Sequence, residues 1–115
     1  MALLIEEYLR HILDEAEFLA AKTLTLDENS FLHDETAKRA FVRSIEVIGE
    51  AVKQIPSEIR MQYSDIAWKS IAGMRDKLIH EYFGVDHDIV WDAVINKIPQ
   101  LAATVRKILS DLYGE

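Results

Sequence analysis

The chain has 115 residues, half of them apolar and 29% charged, with no cysteine and a net charge of −7. That length supports one core of ordinary size, the composition lies well away from the disordered class, and a disulfide framework and a thiolate zinc site are both excluded. No apolar run approaches the roughly 18 residues that a membrane span requires, and the start Met-Ala-Leu-Leu-Ile-Glu-Glu-Tyr lacks the basic residues and apolar length of a signal peptide, so a cytoplasmic protein of one domain, residues 1–115, is expected.

Apolar residues recur at helical spacing along nearly the whole chain. Ile5, Tyr8/Leu9, Ile12/Leu13, Ala16 and Leu19/Ala20 predict a first helix from about residue 3 to about residue 22. The polar stretch from Thr23 to His33 breaks the period and reads as a loop with at most one short turn. Asp34 is placed to cap a second long helix, traced by Ala37, Ala40/Phe41, Ser44/Ile45, Ile48, Ala51/Val52 and Ile55 and stopped before Pro56.

A short helical turn from Ser57 to Tyr63 leads to Asp65, the expected cap of a third helix with a core face of Ala67, Ile71, Met74, Leu78 and Tyr82. Gly84 sits where a glycine stops a helix, and Asp86 where a cap starts the next one near His87. The last stripe, from Val90/Trp91 to Ile108/Leu109, passes through Pro99, which has no N–H to give to the carbonyl four residues back. A kink or break is therefore expected at residues 95–98, with Pro99 in a resumed first turn. The fold class that follows is all-α, an antiparallel up-and-down bundle of four or five helices.

The chemistry concentrates on the third helix, in Arg75-Asp76-Lys77-Leu78-Ile79-His80-Glu81-Tyr82. Arginine offers a planar, permanently charged fork for phosphate oxygens, and histidine gives and takes protons near neutrality, so an Arg-x-x-x-x-His pair points to RNA cleavage without a metal. The bare spacing is weakly specific, and a purely structural reading competes with it: two partly buried polar groups satisfied by Asp76 and helix-end carbonyls. On a helix Arg75 and His80 stand about 140° apart and flank a face. Asp76, four residues before His80, is placed to orient the imidazole, and Tyr82, seven after Arg75, borders the arginine's side. A cleft needing both residues is most easily built where two copies of the helix meet across a two-fold axis, so a homodimer is expected.

Charge distribution is compatible with a phosphate site in the middle of the chain and equally with ordinary solvated helix faces. Residues 38–77 carry a net charge of +3 and the remainder −10, and within this basic stretch Arg43, Lys69 and Lys77 are the candidate RNA-contacting side chains. No metal or cofactor is expected. His87 between Asp86 and Asp88 reads as helix-capping chemistry, His80-Glu81 does not continue to His-Glu-x-x-His, and His11 and His33 stand alone as surface residues. Gly49 and Gly73 each cost a helix about 1 kcal/mol relative to alanine, which close helix packing would explain.

The string from Ile71 to Asp86, with Arg43-Ser44-Ile45-Glu46-Val47-Ile48-Gly49-Glu50-Ala51 upstream and Ile89-Val90-Trp91 downstream, closely resembles the HepT-like branch of the HEPN superfamily. The resemblance implies a helical bundle dimerising around the Arg-x-x-x-x-His helix. It also implies an endoribonuclease toxin with Arg75 and His80 as catalytic residues. The implied partner is a nucleotidyltransferase antitoxin that transfers AMP to the tyrosine two residues after the histidine, here Tyr82. The family commonly has a small polar residue, often asparagine, where this chain has Asp76, which adds negative charge near the expected phosphate. Two other classes stay open: a non-catalytic nucleotide- or RNA-binding module, and a module that docks the nucleotidyltransferase.

Overall fold

Aspartate side chains cap three of the described helix starts. The computed structural model describes residues 4–80 and 86–115, apart from the side chains of Ile79 and His80. Helix α1 (Ile5–Thr23) buries Leu9, Ile12, Ala16 and Leu19, the three-to-four spacing of a single stripe. The segment read as a loop contains a five-residue helix, α2 (Glu28–Leu32), nucleated by Asp27, whose carboxylate accepts the Ser30 N–H at 2.8 Å. It forms because Phe31, fully buried, anchors it to the core. Asp34 caps α3 (Glu35–Lys53) as expected, accepting from the Ala37 N–H at 3.0 Å.

Helix α4 (Ser57–Gln62) leads to a helix that starts later than its spacing suggests. Helix α5 (Trp68–His80) starts three residues after the expected cap Asp65, and Ala67, expected in its core face, is exposed. The cause is Trp68. Its indole N–H donates to the Tyr63 carbonyl at 2.9 Å and its ring is buried, so residues 63–67 form a tight turn around it rather than a first helical turn. Ile71, Ala72, Met74 and Leu78 then form the buried face. The expected contribution of Tyr82 to that face and the stop at Gly84 lie outside the described residues.

Asp86 caps α6 (His87–Asp92), accepting from the N–H groups of Asp88 and Ile89. Residues Ala93–Lys97 form a π-helical turn leading into α7 (Ile98–Tyr113), with Pro99 in the first turn of α7. The break foreseen at Pro99 is thus absorbed by widening the preceding turn, a common way to accommodate an interrupted hydrogen-bond ladder. Helix α7 ends on Gly114 in the left-handed conformation (φ 69°), a conformation that glycine adopts without a Cβ penalty.

Among the described residues there are four helices of thirteen residues or more, three short ones and no strand, an all-α bundle. Helix α1 lies between α3 and α7 and runs antiparallel to both. Glu15 takes the buried Ser44 hydroxyl hydrogen bond at 2.8 Å, while Tyr8 and His11 face Val47 and Glu50. On the other side, Glu17 pairs with Arg106 and Arg10 with Glu115. Helix α5 packs on α3. Rings of Phe31, Phe41 and Trp91 tie α2, α3 and α6 together, with Phe31 and Phe41 centroids 4.7 Å apart. No helix among the described residues is long and apolar enough to cross a membrane.

Candidate active site around Arg75

The crossing of α3 and α5 fixes Arg75. Gly49 is buried on α3, and a Cβ built there would collide with the Cβ of Arg75 and come within 3.1 Å of its Cγ. The glycine is kept because only a bare backbone lets the arginine stem cross at that point. Gly73 is different: it is exposed on α5, and nothing lies within 4 Å of a Cβ built there. Packing within the chain therefore explains Gly49 but not Gly73.

From this anchor the Arg75 side chain reaches two carboxylates. Its Nη1 donates to Asp76 Oδ1 at 3.0 Å, and its Nε lies 3.3 Å from Glu50 Oε2. The Nε is buried and its N–H is not aligned on Glu50, so that contact is an ion pair rather than a hydrogen bond. Asp76 Oδ1 also accepts from Lys53 Nζ at 2.6 Å. Lys53 first, and then Arg75, hold the Asp76 carboxyl below its ordinary range, so it stays ionised at neutral pH.

Lys53 is held in turn by the end of its own helix. It occupies the last turn of α3, where Arg60 from α4 donates to carbonyls at and just past the helix end: Nε to Ile55 O at 2.8 Å, and Nη2 to Lys53 O at 3.1 Å and to Val52 O at 2.9 Å, which also accepts from the Ile55 N–H. An arginine satisfying several C-terminal carbonyls fixes the helix end and complements its dipole. The resulting chain of contacts runs from Arg60 through the end of α3 to Lys53, Asp76 and Arg75.

An open cleft of about 210 Å³ adjoins Arg75, bounded by Tyr8 and His11 of α1 and by Arg43, Glu46, Val47 and Glu50 of α3. The expectation that His11 stands alone is thereby corrected, since it shares a cleft with two arginines. His33, by contrast, has its Nδ1 2.8 Å from the Asn29 carbonyl, a local bond in α2. Of the three candidate RNA-contacting residues, Arg43 lines the Arg75 cleft. Lys69 lines a separate groove with Met61 and Trp68, and Lys77 is exposed on α5.

His80 is the last described residue of α5, while its side chain and all of Tyr82 lie outside the described residues. The described partners of Asp76 are Lys53 and Arg75, so its role as orienter of His80 stays a proposal. Around α5 the backbone positions of Lys69, Gly73 and His80 fall within about 40° of one another, and Gly73 marks the exposed centre of that face. Among the described residues no group of three or more metal-ligating side chains gathers. Lys53, Arg60 and the α1 residues Tyr8 and His11 had no signal in the sequence, because each joins the site from another helix.

Comparison with known proteins adds to this geometry. The family model "Ribonuclease HepT-like" matches residues 5–108. A protein of Caldanaerobacter subterraneus subsp. tengcongensis named "Putative RNase TTE0752" is 52% identical over 102 residues, covering 89% of this chain and 91% of that protein. A Methanocaldococcus jannaschii protein named "Putative RNase MJ0127" is 40% identical over 111 residues, 96% of this chain and 92% of that protein. "Probable ribonuclease HepT" of Thermococcus cleftensis is 38% identical over 103 residues, 90% of this chain and 94% of that protein. No solved structure matches the chain. The matched span takes in all of α1 and α3, the described motif helix and the α6–α7 return, and the chain belongs to the HepT-like ribonuclease family.

Proposed function

We propose that this protein is a metal-independent endoribonuclease acting as a homodimer, the toxin of a toxin–antitoxin pair whose nucleotidyltransferase antitoxin silences it by transferring AMP to Tyr82. The observation that carries the nuclease reading is the placement of Arg75. In a chain of the HepT-like ribonuclease family, its guanidinium is pinned at the α3–α5 crossing, beside an open cleft rather than sealed in the core.

The chemistry follows from the residue types. His80 acts as general base on a ribose 2′-hydroxyl, or as general acid toward the leaving 5′-oxygen, with the partner subunit's copy of the motif taking the complementary role. The 2′-oxygen attacks phosphorus, the bond to the 5′-oxygen breaks and that oxygen receives a proton, leaving a 2′,3′-cyclic phosphate. Arg75 neutralises the charge that builds on the phosphorane oxygens. Asp76 would otherwise repel the phosphate, but Lys53 at 2.6 Å offsets its charge, leaving the acceptor geometry without an unbalanced anion.

Dimerisation is supported by the exposed face of α5. A glycine in a helix interior with nothing against it costs stability in the isolated chain, and it allows a second backbone to approach closely there. The same face carries the His80 position, so a two-fold contact along it brings the two His80 positions together, while each Arg75 stays on the α3 side of its own helix.

A second reading, a binding module without catalysis, is favoured by one feature: Glu50 and Asp76 already occupy the Arg75 guanidinium. Incubation of the purified protein with labelled single-stranded RNA in excess chelator separates the two. Cleavage that is lost in His80→Ala supports the nuclease; binding without cleavage supports the module.

A further inference from the structure

The cleft beside Arg75 is larger than one phosphate contact requires, and its walls are unlike those of a simple anion hole. Tyr8 is partly buried, packing against the hydrophobic core while lining the cleft, so the side chain is held in place. Arg43 is held loosely: its side chain is 73% exposed and its one ion pair among the described residues, to Glu46 three residues on, is 3.5 Å long. Such a surface pair contributes at most about 1 kcal/mol, and an incoming phosphate can replace it. Arg43 lies two turns before Glu50 on α3, about 10 Å along the axis, and Glu50 marks where Arg75 is held. The cleft is thus lined by two arginines, and the loosely held Arg43 side chain can turn toward the phosphate next to the one at Arg75.

We propose that this cleft is a nucleotide subsite for single-stranded RNA, taking the nucleotide next to the scissile phosphate; this rests on the ribonuclease reading above. The base stacks on the Tyr8 ring, its outer phosphate pairs with Arg43, and the inner phosphate is the one that Arg75 holds for cleavage. A base is available for such stacking only when unpaired. Glu46, half-buried on the same wall and released from Arg43 by the phosphate, accepts hydrogen bonds from the base edge. Two carboxylate oxygens match two adjacent N–H donors, and guanine carries such a pair on one edge. Guanine is therefore the preferred base. Its two donors also offset the cost of bringing a carboxylate near a nucleic acid, which repels phosphate but rewards a donor-rich base.

The test measures binding and cleavage separately, using labelled single-stranded oligoribonucleotides that differ only in having guanine or uracil at one position. With Tyr8→Leu, affinity falls about tenfold, the order of one lost stacking contact, whereas Tyr8→Phe, which keeps the ring, binds like wild type and controls for folding. Arg43→Gln weakens binding of both oligonucleotides alike and lowers the slope of log affinity on log salt by about one. Glu46→Gln removes the guanine preference. Wild type that binds with this pattern but does not cleave leaves the subsite standing and overturns the nuclease reading. Wild type that cleaves, with Tyr8→Leu and Glu46→Gln indistinguishable from it in affinity and base preference, overturns the subsite and leaves the nuclease. Absence of binding by wild type overturns the subsite as well.

Discussion

Lys53, in the last turn of α3, reaches across to α5 and places its Nζ 2.6 Å from Asp76 Oδ1, the same oxygen that accepts from Arg75 Nη1 at 3.0 Å. One carboxylate oxygen thus joins two cations, and the motif's extra negative charge is compensated from a residue 23 positions upstream. The consequence is a coupling that neither residue shows alone. Lys53→Met leaves Asp76 paired with Arg75 alone, drawing on the cation that the substrate phosphate needs, and cleavage is expected to fall about tenfold, a typical size for a close charge pair. Asp76→Asn keeps an acceptor and removes the charge, so the double variant Lys53→Met/Asp76→Asn regains most of the lost rate. A double variant no better than Lys53→Met would show that lysine acts in some other way.

The same pair governs acid stability. Lys53 and then Arg75 lower the folded-state pKa of Asp76 below that of the unfolded chain. The native state therefore gains stability from this group above the unfolded value of about 3.9, and loses it as pH falls through the lower folded value. Midpoints of thermal unfolding measured from pH 7 down to pH 2.5 should show a shallower acid decline in Asp76→Asn than in wild type. Parallel curves would mean that the contact is too solvated to matter.

The two glycines make opposite predictions. Gly49→Ala forces α3 and α5 apart at Arg75, an overpacking expected to cost about 1–3 kcal/mol in denaturant unfolding. Gly73 has free space around it in the chain, so Gly73→Met is accommodated by the monomer and raises helix propensity. If two α5 helices meet at this face, that variant sediments as a folded monomer while wild type sediments as a dimer. Wild type that is monomeric at micromolar concentration rules out the dimer directly.

Regulation is tested by mass. A partner nucleotidyltransferase with ATP should add one or more AMP units to wild type and none to Tyr82→Phe, and the modified protein should lose cleavage, because a phosphate near Arg75 competes for its guanidinium. Tyr82→Phe that is inhibited as fully as wild type would place control in steric blocking by the partner.

The sequence carries the elements whose physics is local. Helical stripes in α1, α3 and α7, the aspartate caps at Asp34 and Asp86, and the interruption before Pro99 all depend on residues within a few positions of each other, and each appears where expected. The misplaced start of α5 has a tertiary cause: Trp68 bonds to the Tyr63 carbonyl and is buried, which outweighs the capping preference of Asp65. Arg75 was visible as a residue type, but its setting was not. The Gly49 crossing, the Lys53 contact and the Tyr8–His11 wall depend on which helices become neighbours, and no single-helix periodicity encodes that.

The central claim is that Arg75 and His80 cleave RNA without a metal. Its most direct measurement follows a 5′-labelled single-stranded RNA incubated with purified protein and excess chelator, identifying the new 3′ ends. Wild type is expected to leave 2′,3′-cyclic phosphate ends, and Arg75→Ala and His80→Ala, both still folded by circular dichroism, none. Cleavage that persists in His80→Ala, or that disappears from wild type when chelator is added, would contradict it.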